Sequence, residues 1–278
     1  MSTKTKSSPA QRLVVSAMLI AIATVLSILK IVDLPYGGSV TLGSMFPLVL
    51  IAYRYGTGWG ILSSLVYGAI QMALGADNFS YVSGALSVIT LALFDYIIAF
   101  GLIGLAGLAR NEKNSQSFAL VLGVIMASVF RYLCHVISGA TVWAGLSVPD
   151  AAALSFSLIY NATYMLPEML VLIVIAYYLG TTLDFGSEKL KALAKPETTS
   201  VQRLLGAIAG LALSGALIFD VAAVFGKLQN AETGEFDITG ISQAPWLWIA
   251  VVTVLCVVVA VALLIVRKKM GAGKTENA

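Results

Sequence analysis

Eight stretches of this chain are strongly apolar, and most are long enough to cross a lipid bilayer as helices. A bilayer core of about 30 Å needs about 20 mostly apolar residues per helix. Only 11% of the 278 residues are charged, against about a quarter in soluble domains, which excludes a soluble globular enzyme, a disordered chain and a fibrous chain. The sequence therefore predicts an all-α integral membrane protein whose spans are Leu13–Val32, Leu42–Tyr53, Gly58–Leu74, Tyr81–Leu108, Phe118–Gly139, Ala151–Gly180, Leu204–Phe225 and Pro245–Val266.

The basic residues indicate the orientation of these spans. On alternate connections, and so on one side, lie 14 of the 17 basic residues, which are Lys4, Lys6, Arg12, Arg54, Arg110, Lys113, Lys189, Lys191, Lys195, Arg203, Arg267, Lys268, Lys269 and Lys274. Because cytoplasmic loops are enriched in Lys and Arg, this side is cytoplasmic and both termini are predicted to lie there. The second span is short, and we expect it to be tilted, broken or only partly inserted.

A polar strip divides the chain after the sixth span. It runs from Asp184 to Ser200 and contains Pro196. We therefore expect a six-span domain at 1–183, a basic cytoplasmic linker at 184–203 and a two-span C-terminal extension of unknown role at 204–278. The first apolar run lacks a signal-peptide cleavage site and seven more runs follow it, so it is expected to be retained.

Three ionisable residues lie deep inside predicted spans: Asp95, Arg131 and Glu168. Each costs about 3 kcal/mol at bilayer depth on insertion scales, so each needs a partner or a purpose. Arg131 can form a buried ion pair with either Asp95 or Glu168, and the sequence leaves both pairings open. The remaining carboxylate is then expected to contact a ligand, most simply one that carries a cation or an amine. Lys30 and Asp220 lie nearer span ends, where the charged groups can reach the membrane surface.

The fifth span carries a second set of polar positions. Arg131, His135 and Gly139 follow one another at intervals of four residues and share a helix face. His135 is the only histidine in the chain, and Gly139 leaves room beside it for a flat ligand or for another backbone. Trp143 lies one turn further, where a tryptophan serves either as an interface anchor or as a pocket wall.

The sixth span carries a polar stripe on an otherwise apolar helix. Asn161, Tyr164 and Glu168 lie on one face, next to Tyr160 and just after Pro167. The stripe predicts either hydrogen bonding between helices or one wall of a pocket that is open to the outside. Aromatic faces, one imidazole, an amide and a carboxylate would suit a flat aromatic cation.

Machinery for catalysis or ATP hydrolysis is missing from the sequence. The tail Gly271–Thr275 ends like a P-loop, but Lys268 stands where the first glycine is needed. With one histidine and two isolated cysteines, neither a metal site nor a cofactor is expected, so the chain is not predicted to be an enzyme. A binding protein without an ATPase must use an ion gradient or the ATPase of a partner. Ala17 and Ala21 form a small-xxx-small pair that suits docking of a partner helix or packing within the chain.

Five ordered segments resemble the ThiT family, the thiamine-specific substrate-binding (S) components of energy-coupling factor (ECF) transporters. The similar segments cover roughly residues 11–183 and are Ser16–Ala21, Leu34–Met45, Phe94–Gly107, Arg131–Gly139 with Trp143, and Tyr160–Glu168. The resemblance implies a six-helix S-component-like bundle in the prokaryotic plasma membrane that takes thiamine from outside. It also implies an ECF transmembrane scaffold subunit and two cytoplasmic ATPase subunits as partners, the lipid bilayer as environment, and no nucleic acid. The last two spans lie outside the family pattern.

The resemblance also implies residue roles. It places Asp95, followed by Tyr96, at the aminopyrimidine, and His135 and Trp143 beside the thiazolium with Gly139 between them. The substrate-binding set is then Asp95, Tyr96, His135, Gly139, Trp143, Phe156, Asn161 and Tyr164, supported by Arg131, Tyr160 and Glu168, with Ala17 and Ala21 for scaffold docking.

Some positions depart from the family pattern. Phe156 stands where a binding tyrosine is often found, and Asp95 is one methylene shorter than the glutamate of some members. The loop 75–80 lacks an expected tryptophan, for which Phe79 or Tyr81 could substitute. The loop Leu34–Ser44 resembles the family's lid over the pocket.

Two other functions stay open from the sequence alone. One is a stand-alone proton-coupled carrier of a small aromatic cation that uses Asp95, Arg131 and Glu168. The other is a membrane-embedded assembly or sensory protein whose acidic loop, Lys227–Gln243, meets another protein.

Overall fold

The computed structural model of the chain describes residues 8–34, 37–111, 114–143, 151–187, 190–193, 199–228 and 238–275. Of Trp143 only the backbone is described. Several residues used above for orientation lie outside these ranges, among them Lys4, Lys6, Lys113, Lys189 and Lys195, as does the central part of the acidic loop, 229–237.

Helices occupy all eight predicted spans. They are α1 (Pro9–Ile28), α2 (Phe46–Tyr55), α3 (Thr57–Leu74), α4 (Ala85–Leu91), α5 (Ile98–Gly101), α6 (Gln116–Ser138), α7 (Ala151–Thr182), α8 (Ser200–Leu228) and α9 (Trp246–Thr275). Within the described residues, six helical segments are long and apolar enough to cross a membrane: Pro9–Ile28, Ala85–Ala109, Gln116–Val142, Ala153–Thr182, Ser200–Leu228 and Trp246–Met270. The prediction of a mostly helical multi-span membrane protein is confirmed.

Two short hairpins add to the helices. Strands β1 (Lys30–Asp33) and β2 (Ser39–Thr41) pair antiparallel, as do β3 (Leu183–Asp184) and β4 (Lys191–Ala192). Helix α1 thus ends at Ile28, before the predicted end at Val32. The β-branched residues there, followed by Pro35 and two glycines, favour an extended strand and a turn over a continued helix. Lys30 is therefore an exposed strand residue.

The short second span is the most enclosed helix of the bundle. All residues from Phe46 to Ala52 are buried, and the helix packs against α1, α3 and α6. It can remain short because its neighbours, and not lipid, surround it. Glycines permit this close packing, since a Cβ added at Gly60 would lie 2.6 Å from the Cβ of Ala52.

The fourth span is irregular. A π-helical turn at Ala92–Ile97 joins α4 to α5, and a 3₁₀ segment at Leu102–Ala109 follows α5. A second π-helical turn, Gly139–Trp143, extends α6. Such wide turns often accompany functional sites, and these two contain Asp95 and the segment from Gly139 to Trp143.

The chain divides into two compact units, 1–193 and 194–278. The first contains α1 to α7 and the hydrophobic core built around α2. The second is an antiparallel pair of long helices, in which Gln202 donates a hydrogen bond to the carbonyl oxygen of Arg267 at 3.2 Å. Thr253 of α9 donates to Oδ2 of Asp220 at 2.6 Å. Asp220, expected to face the membrane surface, is thus bonded to the neighbouring helix.

Candidate functional site

Asp95 and His135 meet inside the first unit. Asp95 lies in the π turn of the fourth span and is 9% exposed. Its Oδ1 lies 2.9 Å from Nδ1 of His135 on α6. The other ring nitrogen, Nε2, is buried and has no hydrogen-bond partner among the described residues. A carboxylate and an imidazole are therefore in contact between the fourth span and α6.

Arg131 pairs with Glu168, which decides between the two pairings that the sequence left open. Nη1 of Arg131 lies 3.1 Å from Oε2 of Glu168 on α7. The guanidinium lies over the ring of Phe100 at 4.9 Å and donates to Sδ of Met45 at 3.4 Å. The alternative partner, Asp95, lies against His135 instead. Of the two carboxylates, Asp95 is therefore the one that does not belong to the ion pair with Arg131.

The polar stripe of α7 forms hydrogen bonds to α6 and within its own helix. Nδ2 of Asn161 lies 2.8 Å from the carbonyl oxygen of Ser157 and 3.3 Å from that of His135. Its Oδ1 accepts a hydrogen bond from the hydroxyl of Tyr164 at 2.6 Å. These bonds hold the amide of Asn161 beside the backbone of His135.

Gly139 makes room for a helix. A Cβ at this position would overlap the hydroxyl oxygen of Ser157 on α7. Ser157 donates to the carbonyl oxygen of Val136 at 2.9 Å, so α6 and α7 are in close contact here. Of the two uses predicted for the space beside His135, a flat ligand or another backbone, the structure shows close approach of α7 at Gly139.

Aromatic rings lie along α7 and next to Asp95 in the fourth span. Phe156 and Tyr160 stack with ring centroids 5.8 Å apart, and Tyr160 meets Tyr164 edge to face at 5.6 Å. Tyr96 stacks on Phe79 at 5.9 Å. Tyr81 is 62% exposed, so Phe79 is the one of the two loop aromatics that packs beside a predicted site residue.

Residues 37–45, which contain β2 and precede α2, are called the cover segment below. They contact two parts of this site. The amide of Gly38 donates to the hydroxyl of Tyr160 at 3.0 Å. A Cβ at Gly37 would lie 2.9 Å from the side-chain amide of Asn78, which itself donates to the hydroxyl of Tyr96 at 2.9 Å. The segment therefore contacts both α7 and the loop that holds Tyr96.

The sequence did not single out four of the residues that organise this site: Thr41, Asn78, Phe100 and Ser157. Each lies in or beside a segment that was already of interest, but none carries a charge or a periodic spacing that marks it. Thr41 donates a hydrogen bond from the cover segment to Oε1 of Glu168.

Ala17 and Ala21 are both exposed on α1. The helix packs inward through other residues, since Ser16 and Ala23 are buried and Nε1 of Trp59 donates to the hydroxyl of Ser16 at 2.8 Å. Packing within the described chain therefore does not account for the small-residue pair.

The fold and the buried groups define a multi-pass membrane protein that holds a carboxylate and an imidazole in contact, with aromatic rings on the adjoining helix. Residues 13–185 match the model of the thiamine transporter protein family (Thia_YuaJ), and the chain belongs to this family. It is accordingly a multi-pass protein of the plasma membrane, in a family named for transport and not for catalysis.

Relatives named thiamine transporter ThiT are similar over the same region. The Bacillus subtilis protein is 32% identical over 182 residues, which are 62% of this chain and 91% of the relative. The Lacticaseibacillus paracasei protein is 25% identical over 159 residues, 54% of this chain and 74% of the relative. The solved structure of ThiT from Listeria monocytogenes is 24% identical and covers 61% of this chain and 92% of its own, with a TM-score of 0.48.

Proposed function

We propose that this chain is the high-affinity thiamine-binding subunit of an ECF-type ABC importer. It captures thiamine from outside and releases it inward when a membrane scaffold subunit and two cytoplasmic ATPase subunits are bound. The observation that carries the proposal is the buried contact between Asp95 and His135, in a chain of the thiamine transporter family.

The chemistry of the site suits thiamine. We expect the carboxylate of Asp95, which lies against His135, to accept hydrogen bonds from the exocyclic amine of the aminopyrimidine. Tyr164 bonds to Asn161, whose amide lies beside His135, and the rings of Tyr160 and Phe156 continue the row along α7. Aromatic faces attract a cation by about 0.5–2 kcal/mol each, which offsets part of the cost of removing the thiazolium from water. Trp143 belongs to the proposed site through the family resemblance.

The proposed binding set is completed by Asp95, Tyr96, His135, Phe156, Asn161 and Tyr164, while Gly139 allows α6 and α7 to pack closely beside it. Arg131, Tyr160 and Glu168 act as support, because the first and last neutralise each other and Tyr160 holds Gly38. Arg131 and Glu168 form an ion pair with each other. This pairing favours a role in holding the binding site together over a role in proton transport.

Transport then needs an external source of energy. The exposed pair Ala17 and Ala21 on α1 is the proposed docking face for the scaffold, since small residues allow a second helix to approach closely. The domain assignment follows: residues 1–183 bind thiamine, 184–203 form a cytoplasmic linker, and 204–278 are an extension without an assigned role.

Uptake by proteoliposomes tests the coupling. We expect uptake of radiolabelled thiamine only when the chain is reconstituted with an ECF scaffold and its ATPases and when ATP is inside the vesicles. The double variant Ala17→Leu, Ala21→Leu is expected to bind thiamine as the wild type does, but to lose most uptake and co-purification with the scaffold.

The matched control is Ala69→Leu, Ala73→Leu, an exposed small-residue pair with the same spacing on α3. It is expected to leave uptake unchanged. Uptake by the chain alone, driven by a pH gradient without ATPases, would contradict the proposal and select the proton-coupled carrier.

A further inference from the structure

We propose that Thr41 is a positioning residue for thiamine retention, and this inference depends on the proposed function. Its hydroxyl attaches the cover segment to Glu168, a carboxylate that Arg131 already fixes between α6 and α7. Through this attachment Thr41 slows the departure of bound ligand without touching it.

Glu168, to which Thr41 attaches the cover segment, is held rigidly. Glu168 is 1% exposed, and its two carboxylate oxygens have different partners. Oε2 pairs with Arg131 of α6, and Oε1 accepts the hydroxyl hydrogen of Thr41. The guanidinium is held in turn by Phe100 and Met45. A buried carboxylate with both oxygens occupied has little freedom to move, so Thr41 is tied to a fixed point.

Thr41 lies in the middle of the cover segment, at the end of β2 and three residues before Ser44. The backbone amide of Ser44 donates to Oγ1 of Thr41 at 3.3 Å, which closes a turn just before α2. Gly43 in this turn has φ +79°, a conformation that favours glycine. Loss of the hydroxyl would therefore remove both the bond to Glu168 and the acceptor of this turn.

The first two residues of the cover segment contact other parts of the proposed site. Gly37 and Gly38 lie against Asn78 and Tyr160, and a Cβ at Gly38 would lie 2.8 Å from Cδ1 of Tyr164. These neighbours belong to two sides of the proposed site. The bond of Gly38 to Tyr160 is a single neutral hydrogen bond, whereas the bond of Thr41 goes to an ion-paired carboxylate. Bonds to charged groups are the stronger class, so the bond of Thr41 is the stronger of these two hydrogen bonds.

The test is the dissociation rate of labelled thiamine from detergent-purified protein, chased with excess unlabelled thiamine. Thr41→Val keeps the shape and removes the hydroxyl, and we expect dissociation to be about 10-fold faster. The association rate is expected to stay within about threefold of the wild type, because most effects of such changes fall on dissociation. Thr41→Ser keeps the hydroxyl and is expected to restore the slow rate.

Thr24→Val is the matched control, since among the described residues the hydroxyl of Thr24 bonds to the carbonyl oxygen of Ile20 in its own helix. Its dissociation rate is expected to equal that of the wild type. Because the rate is measured on bound protein, a loss of folded material does not alter it. An unchanged rate in Thr41→Val, or an equal acceleration in Thr41→Ser or Thr24→Val, overturns the inference and leaves the proposed function standing. Failure of the wild type to bind thiamine overturns both.

Discussion

Replacing Asp95 with asparagine is expected to weaken thiamine binding by about 1.5–3 kcal/mol, the range for hydrogen bonds to charged groups. This is a loss of about 10- to 150-fold in affinity. The amide keeps the size of the side chain but removes the negative charge that faces His135 and, in the proposed complex, the amine of the ligand. Isothermal titration calorimetry of the purified variant measures the change.

The control for Asp95→Asn is Asp77→Asn, because Asp77 is exposed in the loop between α3 and α4. This variant is expected to bind like the wild type. Unchanged affinity in Asp95→Asn would remove Asp95 from the site and with it the proposed contact to the aminopyrimidine.

Replacing Arg131 with methionine is expected to destabilise the first unit by about 3–5 kcal/mol, because it leaves the buried carboxylate of Glu168 without its counter-charge. The remaining bond from Thr41 does not neutralise it. The free thiol of Cys134 is buried in α6, so its reaction with a thiol-reactive dye on heating reports unfolding. The measurement uses a Cys256→Ser background, which leaves one reporter thiol.

The double variant Arg131→Met, Glu168→Leu is the matched control. A buried ion pair that is replaced as a whole by apolar residues often costs little, so we expect the double variant to regain most of the lost stability. If the double variant unfolds as early as Arg131→Met alone, the ion pair is not the cause of the loss.

The sequence was sufficient to predict the features that are determined within a single helix, namely the spans and the side chains that share a helix face. Long apolar runs marked the spans because burial in lipid requires about 20 such residues. The four-residue interval between Arg131 and His135, and the stripe from Asn161 to Glu168, placed side chains on common faces of α6 and α7.

Features that depend on how helices meet could not be predicted in this way. The choice of Glu168 over Asp95 as the partner of Arg131 is set by the register between α6 and α7, which no spacing within one helix encodes. The contact of Gly139 with Ser157 has the same origin.

Local backbone geometry and single side-chain contacts also could not be predicted from the sequence. The π turn around Asp95 has no periodic signature, and Thr41 is a single hydroxyl in a short strand. Its hydroxyl bonds to a residue 127 positions away in sequence, a contact that only the folded chain shows.

Calorimetric titration of the detergent-purified wild type with thiamine measures the proposed binding itself. We expect saturable binding at one site per chain with a dissociation constant below about 1 μM, equivalent to a binding free energy beyond about −8 kcal/mol. Absence of saturable binding, in protein whose Cys134 is still protected from the dye and therefore folded, would contradict the proposed function.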